Sequence, residues 1–198
     1  MTKPAHLKDG ERHDGVGFAA AAPEERGSGI IPTLLFAIIL TVFVRVFVAE
    51  SYEIPTGSME QTIQIGNRVL GEKISYRFRD PQPGEIVTFL REQDGHTDTL
   101  IKRVIAVAGQ TIDLRDGVVY VDGIALDEPY VENQPTLPLQ SDDPSISYPY
   151  TVPEGYLWVM GDNRTNSRDS RAIGPIKVDD VTSHAVVIFW PPEDIATI

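Results

Sequence analysis

The sequence predicts a mainly β domain tethered by one N-terminal transmembrane helix. Three observations predict it: an unbroken apolar run over residues 30–49, a succession of segments rich in Val, Ile, Thr and aromatic residues from residue 84 onward, and Asp-Gly pairs between them. The chain's 198 residues suffice for one ordinary domain plus extra segments. Its 17 Lys and Arg against 29 Asp and Glu leave a net charge of -12, which argues against a nucleic-acid partner. There is no cysteine, which excludes thiol nucleophiles, thiolate zinc sites and disulfides together.

Residues 1–29 mix charges without a sustained hydrophobic period and read as a disordered tail. Lys3, Lys8, Arg12 and Arg26 favour a cytoplasmic location for it. The run "IIPTLLFAIILTVFVRVFVA" follows. At about 1.5 Å per residue it spans roughly 30 Å, the thickness of a bilayer's hydrocarbon core. Pro32 falls in the first turn and Arg45 near the far end, where each costs little. The run is too long for a cleaved signal sequence, and Phe47 and Ala49 make a poor cleavage site.

Residues 50–198 are expected to form the extracytoplasmic domain. Its strands are "EIVTFL", "TLIKRVIAVA", "TIDL", "VVYV", "YLWVM" and "HAVVIFW". Asp116-Gly117 closes a hairpin, and Asp122-Gly123 turns the chain again. Residues 127–153 are rich in Pro, Ser and Asp and read as a long surface excursion, so that a hairpin and a Pro-rich segment together occupy about residues 110–153.

Three segments could carry chemistry. In "IPTGSM", Ser58 follows Pro55 and Gly57 in a sharp turn, and by itself this is also an ordinary turn. A nucleophilic serine needs a base. His6 and His13 lie in the tail, His96 in a polar loop beside Asp98, and His184 at the start of a buried strand. In "TLIKRVIAVAG", alternation places Lys102 on one face with Leu100, Val104 and Ala106, and Arg103 on the other with Ile101, Ile105 and Val107. A lysine packed among aliphatic side chains loses hydration of its ammonium, so its pKa falls and a neutral amine becomes available; a lysine that snorkels from an edge strand is the plain alternative. The third segment is "GDNRTNSRDSRAIGPI", residues 161–176, where Asp162, Asn163, Arg164, Ser167, Asp169 and Arg171 read either as a fixed polar network or as a solvated loop. No His or carboxylate cluster has metal-ligand spacing, and no cofactor is implied.

Taken in order after one anchor, these motifs resemble the bacterial type I signal peptidases. The similarity covers residues 36–190 and rests on "IPTGSM", "GNRVLGEKISY", "IKRVIAVAGQTI" and "GDNRTNSRDSRAIGPI". It implies a signal-peptidase/repressor-type all-β catalytic domain with Ser58 as nucleophile and Lys102 as general base. Ser167 is expected to orient the amine by a hydrogen bond, and the Thr56 hydroxyl with the Ser58 N–H to form the oxyanion hole. The pairs Asp162–Arg103 and Asp169–Arg171, with Asn163 and Arg164, are expected to support the site, and Met59 to line a shallow substrate pocket. Thr56 stands where serine is usual, Gln61 where proline is, Asn67 where aspartate is and Ala172 where an aromatic is; Leu100 replaces a frequent tyrosine, and Ala106, Ala108 and Gln110 depart from a common "GLPGD" pattern.

The resemblance implies a membrane-anchored serine endopeptidase that removes Ala-x-Ala-like signal peptides from secretory preproteins in the bacterial cell membrane, in contact with membrane lipid. A membrane-anchored β domain that only binds extracytoplasmic partners is the rival, and a Ser58 hydroxyl more than about 5 Å from the Lys102 amine favours that rival. A self-cleaving repressor-type Ser-Lys protease shares the chemistry, but the membrane helix and the lack of a DNA-binding module argue against it.

Overall fold

The structure is a computed structural model that describes residues 29–93 and 95–198. The tail expected over residues 1–29 lies outside the described residues except for Gly29. Helix α1 (Ile30–Phe47) has a mean hydropathy of 2.5 and buries none of its residues against the rest of the protein. At ~1.5 Å per residue it is about 27 Å long. Its outward apolar side chains need a hydrocarbon environment, and its internal hydrogen bonds satisfy the backbone there. The expected run extended to residue 49, but Ala49 already pairs in the first strand, β1 (Ala49–Glu53).

After β1 come β2 (Arg68–Glu72), β3 (Ile86–Gln93), β4 (His96–Val107), β5 (Thr111–Arg115), β6 (Val118–Val121), β7 (Ile124–Ala125), β8 (Tyr150–Thr151) and β9 (Tyr156–Met160). A short helix, α2 (Ser170–Ile173), then leads to β10 (Ile176–Lys177), β11 (Val181–Trp190) and β12 (Ala196–Thr197). The large sheet has the order β1-β2-β11-β3-β4-β9-β10, with β12 paired to β11, and the small one runs β7-β6-β5-β8. The fold is mainly β, as expected. The sequence reading did not identify β1 and β2: "AESYE" and "RVLGE" carry charges and a glycine, and their pairing with each other and with β11 is settled by tertiary context.

The core lies in three parts. Ile54, Met59, Ile63, Val69, Ile86, Ala185 and Ile188 fill one face of the large sheet. Val87, Phe89, Val104, Leu157, Val159 and Ile176 fill the other. Ile105, Ala106, Ile112, Val119, Val152, Trp158 and Met160 pack between the two sheets. In β4 the expected alternation holds through Val104 and then breaks. The register against β9 shifts between Val104 and Ala106, so Ile105 and Ala106 both enter the inter-sheet core and Val107 packs on the Val104 side. Ala106 is therefore not on the face of Lys102.

The small sheet follows the local sequence closely. Asp116 and Gly117 have φ of 52° and 81°, and Asp122 and Gly123 have φ of 52° and 80°, the paired positive angles of type I′ hairpin turns. The Pro-rich segment departs from expectation. It contains no α-helix, but it does not merely run over the surface: Val131, Thr136 and Val152 are buried, and the stretch from Glu128 to Asp142 lies against residues 161–172.

Candidate active site

Ser58 sits in a single 3-10 turn, Gly57–Met59. Met59 holds that turn from below, fully buried beside Ile54, Ile63 and Ile86. With 0% exposure, Met59 anchors the turn that carries Ser58. From above, the Asn163 N–H donates to the Ser58 carbonyl oxygen at 3.2 Å, and Asn163 Nδ2 donates to the Gly57 carbonyl oxygen at 3.0 Å. Gly161 makes that approach possible, because a Cβ there would collide with the Ser58 carbonyl oxygen and the Ser167 hydroxyl.

Strand β4 pairs with β3 from His96 to Arg103 and with β9 only from Arg103 to Val107, so among the described residues those preceding Arg103 have no strand on the β9 side. Lys102 stands where that edge opens. It is 3% exposed, and its Nζ donates to Ser58 Oγ at 2.7 Å and to the Ile101 carbonyl oxygen at 2.8 Å. Burial lowers its pKa to about 8, against the opposing pull of Asp169 and Asp162. A hydroxyl and a buried amine of lowered basicity in hydrogen-bond contact can exchange a proton.

The neighbouring charges are paired. Arg103 Nε and Nη2 donate to Asp162 at 2.9 and 2.6 Å, its Nη1 donates to the Gly84 carbonyl oxygen, and the Thr62 hydroxyl donates to the same Asp162. Arg171 Nε and Nη2 donate to Asp169, both at 2.9 Å, and Asp169 accepts the Gly161 N–H at 3.0 Å. Both carboxylates are wholly buried. Their cations answer most of their charge, so Lys102 is not forced into its protonated form.

Ser167 departs from expectation. Both hydrogen bonds of the Lys102 amine go elsewhere, to Ser58 and Ile101, and the Ser167 hydroxyl is buried against Gly161 with no hydrogen-bond partner among the described residues. Thr56 is exposed, in extended backbone directly before the turn. Gln61 has a φ of 92°, which a proline ring held near about -65° does not reach, so the proline usual at this position would not fit the turn as it stands. Beside Ser167 a cleft of about 590 Å³ opens between Leu139, Asp142, Arg168 and Ala172.

Sequence reasoning missed the outer wall. Arg164 has no acid within residues 161–176; it donates to Glu128 and Thr136, and its Nε donates to the Gly161 carbonyl oxygen at 3.0 Å. The Tyr130 ring covers the Arg103 guanidinium at 4.0 Å. Charge counting held the signal: Arg103, Arg164, Arg168 and Arg171 share two aspartates, which leaves two arginines in need of acids from another segment, and Glu128 and Asp142 supply them.

Residues 28–190 match the family described as "Signal peptidase, peptidase S26". A probable signal peptidase I-1 of Synechocystis sp. is 40% identical over 167 residues, covering 81% of each chain. A probable signal peptidase I-2 of the same organism is 41% identical over 175 residues, covering 85% of this chain and 76% of that protein. A signal peptidase I of Mycobacterium tuberculosis is 34% identical over 212 residues, covering 82% of this chain and 70% of that one.

Proposed function

The chain belongs to the signal peptidase family, peptidase S26, and from that premise we propose that Ser58 is the nucleophile and Lys102 the general base of its cleavage reaction. The protein is a membrane-anchored serine peptidase that removes signal peptides from preproteins. The observation that carries the residue assignment is the buried Lys102 amine 2.7 Å from Ser58 Oγ, well inside the reach beyond which a non-enzymatic β domain is the better reading.

The neutral amine takes the Ser58 proton as Oγ attacks the scissile carbonyl carbon. The Ser58 N–H and the Thr56 hydroxyl donate to the oxyanion that forms. The Lys102 ammonium then gives its proton to the leaving amine, which departs as the new N-terminus of the mature protein. A water attacks the acyl-Ser58 ester while Lys102 accepts its proton, and collapse of the second intermediate returns that proton to Ser58.

The signal peptide adds as a strand at the open edge of β4, beside Ser58, and shallow pockets admit only small side chains, as in an Ala-x-Ala-like site. The N-terminus is cytoplasmic and the β domain extracytoplasmic, following the basic residues before α1, and the membrane is the bacterial cell membrane. The anchor supplies proximity: Ser58 lies nine residues after Ala49, and α1 shares the bilayer with the signal peptide's apolar segment.

The test is cleavage of a preprotein in detergent, with the new N-terminus sequenced. The wild-type protein is expected to cut once, after a small-x-small triplet, and Ser58→Ala to leave the preprotein intact. Full cleavage by Ser58→Ala sinks the assignment.

A further inference from the structure

The segment from Glu128 to Thr136 is far in sequence from the motifs that carry the chemistry, yet it supplies the outer half of the buried charge network. Glu128 takes Arg164 with both oxygens, one at 2.9 Å, with side-chain exposures of 7% and 0%. Thr136 accepts from the same guanidinium at 2.7 Å. The Tyr130 hydroxyl donates to Glu128 at 3.1 Å, and its ring lies 4.0 Å from Arg103 Cζ and 5.9 Å from Arg164 Cζ. Arg171 adds a tie to the residue after this segment, donating to the Leu137 carbonyl oxygen at 3.2 Å.

What these groups hold decides their effect. Arg164 is fastened to the Gly161 carbonyl oxygen, and the 161–163 turn is what seats Ser58 through its carbonyl oxygen. Arg103 is the cation that occupies Asp162, and it follows Lys102 directly in β4. A strap that clamps Arg164 and roofs Arg103 therefore acts on both members of the reacting pair. It acts on Ser58 through the turn, and on Lys102 through the carboxylate that Arg103 keeps occupied.

We infer that Glu128 and Tyr130 are positioning residues for the Ser58–Lys102 pair, with the Glu128–Thr136 strap holding the 161–164 turn against Ser58 and sealing the Arg103–Asp162 pair from water. The inference rests on the dyad reading above. Neither residue touches the reacting atoms. Without the strap, water reaches Arg103, and Asp162 is freed to act on Lys102. The charged groups around that amine are Asp162 and Asp169 from the 161–176 segment, Arg171 paired to Asp169, and Arg103 on its own strand. A freed Asp162 stabilises the ammonium, so the lysine needs a higher pH to become a base.

The experiment is preprotein cleavage by the full chain in detergent, with kcat, KM and the pH profile of kcat/KM measured for Glu128→Gln, Tyr130→Leu and Tyr130→Phe. A misplacement on the scale of an ångström costs up to about 100-fold in rate, so Glu128→Gln and Tyr130→Leu are expected to lose about 10- to 100-fold in kcat with KM within about twofold. Their acid limb is expected to move to higher pH. Tyr130→Phe keeps the ring over Arg103 and is expected to recover most of what Tyr130→Leu loses. If the folded variants keep the wild-type kcat and acid limb and only melt at lower temperature, the strap is structural and the inference is overturned. If Glu128→Gln does not fold, Tyr130→Leu against Tyr130→Phe decides the same question. Failure of the underlying dyad shows separately, as activity retained by Ser58→Ala.

Discussion

Around Ser58 the chain buries charge, whereas between the two sheets it buries hydrocarbon. Lys102, Arg103, Asp162, Arg164, Asp169 and Arg171 are each at most 9% exposed, and they lie within a few residues of the reacting pair in β4 or in the segment that clasps Ser58. The inter-sheet core is Ile105, Ile112, Val119, Trp158 and Met160 with a fringe of tyrosines. Buried aliphatic surface stabilises at roughly 25 cal/mol per Å², while a buried ion pair about breaks even against hydrophobic residues of the same shape. The site wall is thus organised for position and proton affinity, and the inter-sheet core for stability. Substitutions in the two regions should separate accordingly.

The largest expected effect is on activity alone. Lys102→Met removes the base and is expected to reduce preprotein cleavage by a factor on the order of 10³ to 10⁴ or more, as removal of one member of a coupled catalytic set does. The same substitution is expected to raise stability. The unfolded chain keeps its lysine proton up to 10.5, but the folded state holds it only up to about 8. The cost of burying the ammonium, about 3 kcal/mol for that interval, is full below pH 8 and fades as pH rises toward 10.5. A urea titration at pH 7 should show Lys102→Met more stable than wild type, with the difference shrinking at pH 10; equal stability at pH 7 would contradict the buried amine.

The next effect lowers activity and stability together. Asp162→Ala leaves Arg103 buried without its acid and is expected to cost about 3–5 kcal/mol in urea unfolding, as breaking one side of a buried pair does. Cleavage should fall as well, since the 161–163 turn loses its tie to β4. The smallest effect is in the other region. Gly123→Ala puts a Cβ at φ of 80° in the turn between β6 and β7, where it touches no strap residue, and is expected to cost about 1–2 kcal/mol. Cleavage per folded molecule should be unchanged, and a drop in it would mean that the hairpin communicates with the site.

The same contrast governs what could be read from sequence. The hairpin turns were legible because Asp-Gly pairs state their backbone angles locally, and the strands from β3 onward because β-branched and aromatic runs state theirs. The pairing of Asp162 with Arg103 and of Asp169 with Arg171 followed from the motif resemblance. Glu128, Tyr130 and Thr136 were not legible, because nothing within a Pro-rich stretch says which distant arginine it will meet. The bulge that moves Ala106 off the Lys102 face was hidden for the same reason, being set by β9. The hydrogen bonds of the Lys102 amine and the full burial of Met59 were not legible either. A motif gives a residue's neighbourhood, but the acceptors nearest the amine and the packing beneath the turn decide what its side chain does.

The central claim, that a buried neutral lysine is the base for Ser58, is tested most directly by the pH dependence of kcat/KM for preprotein cleavage by the wild-type protein. Activity is expected to rise along an acid limb with an apparent pKa of about 8, the value to which burial lowers Lys102. A limb near about 6.5, the ordinary range of a histidine, would contradict it and move the search for the base to His96 or His184.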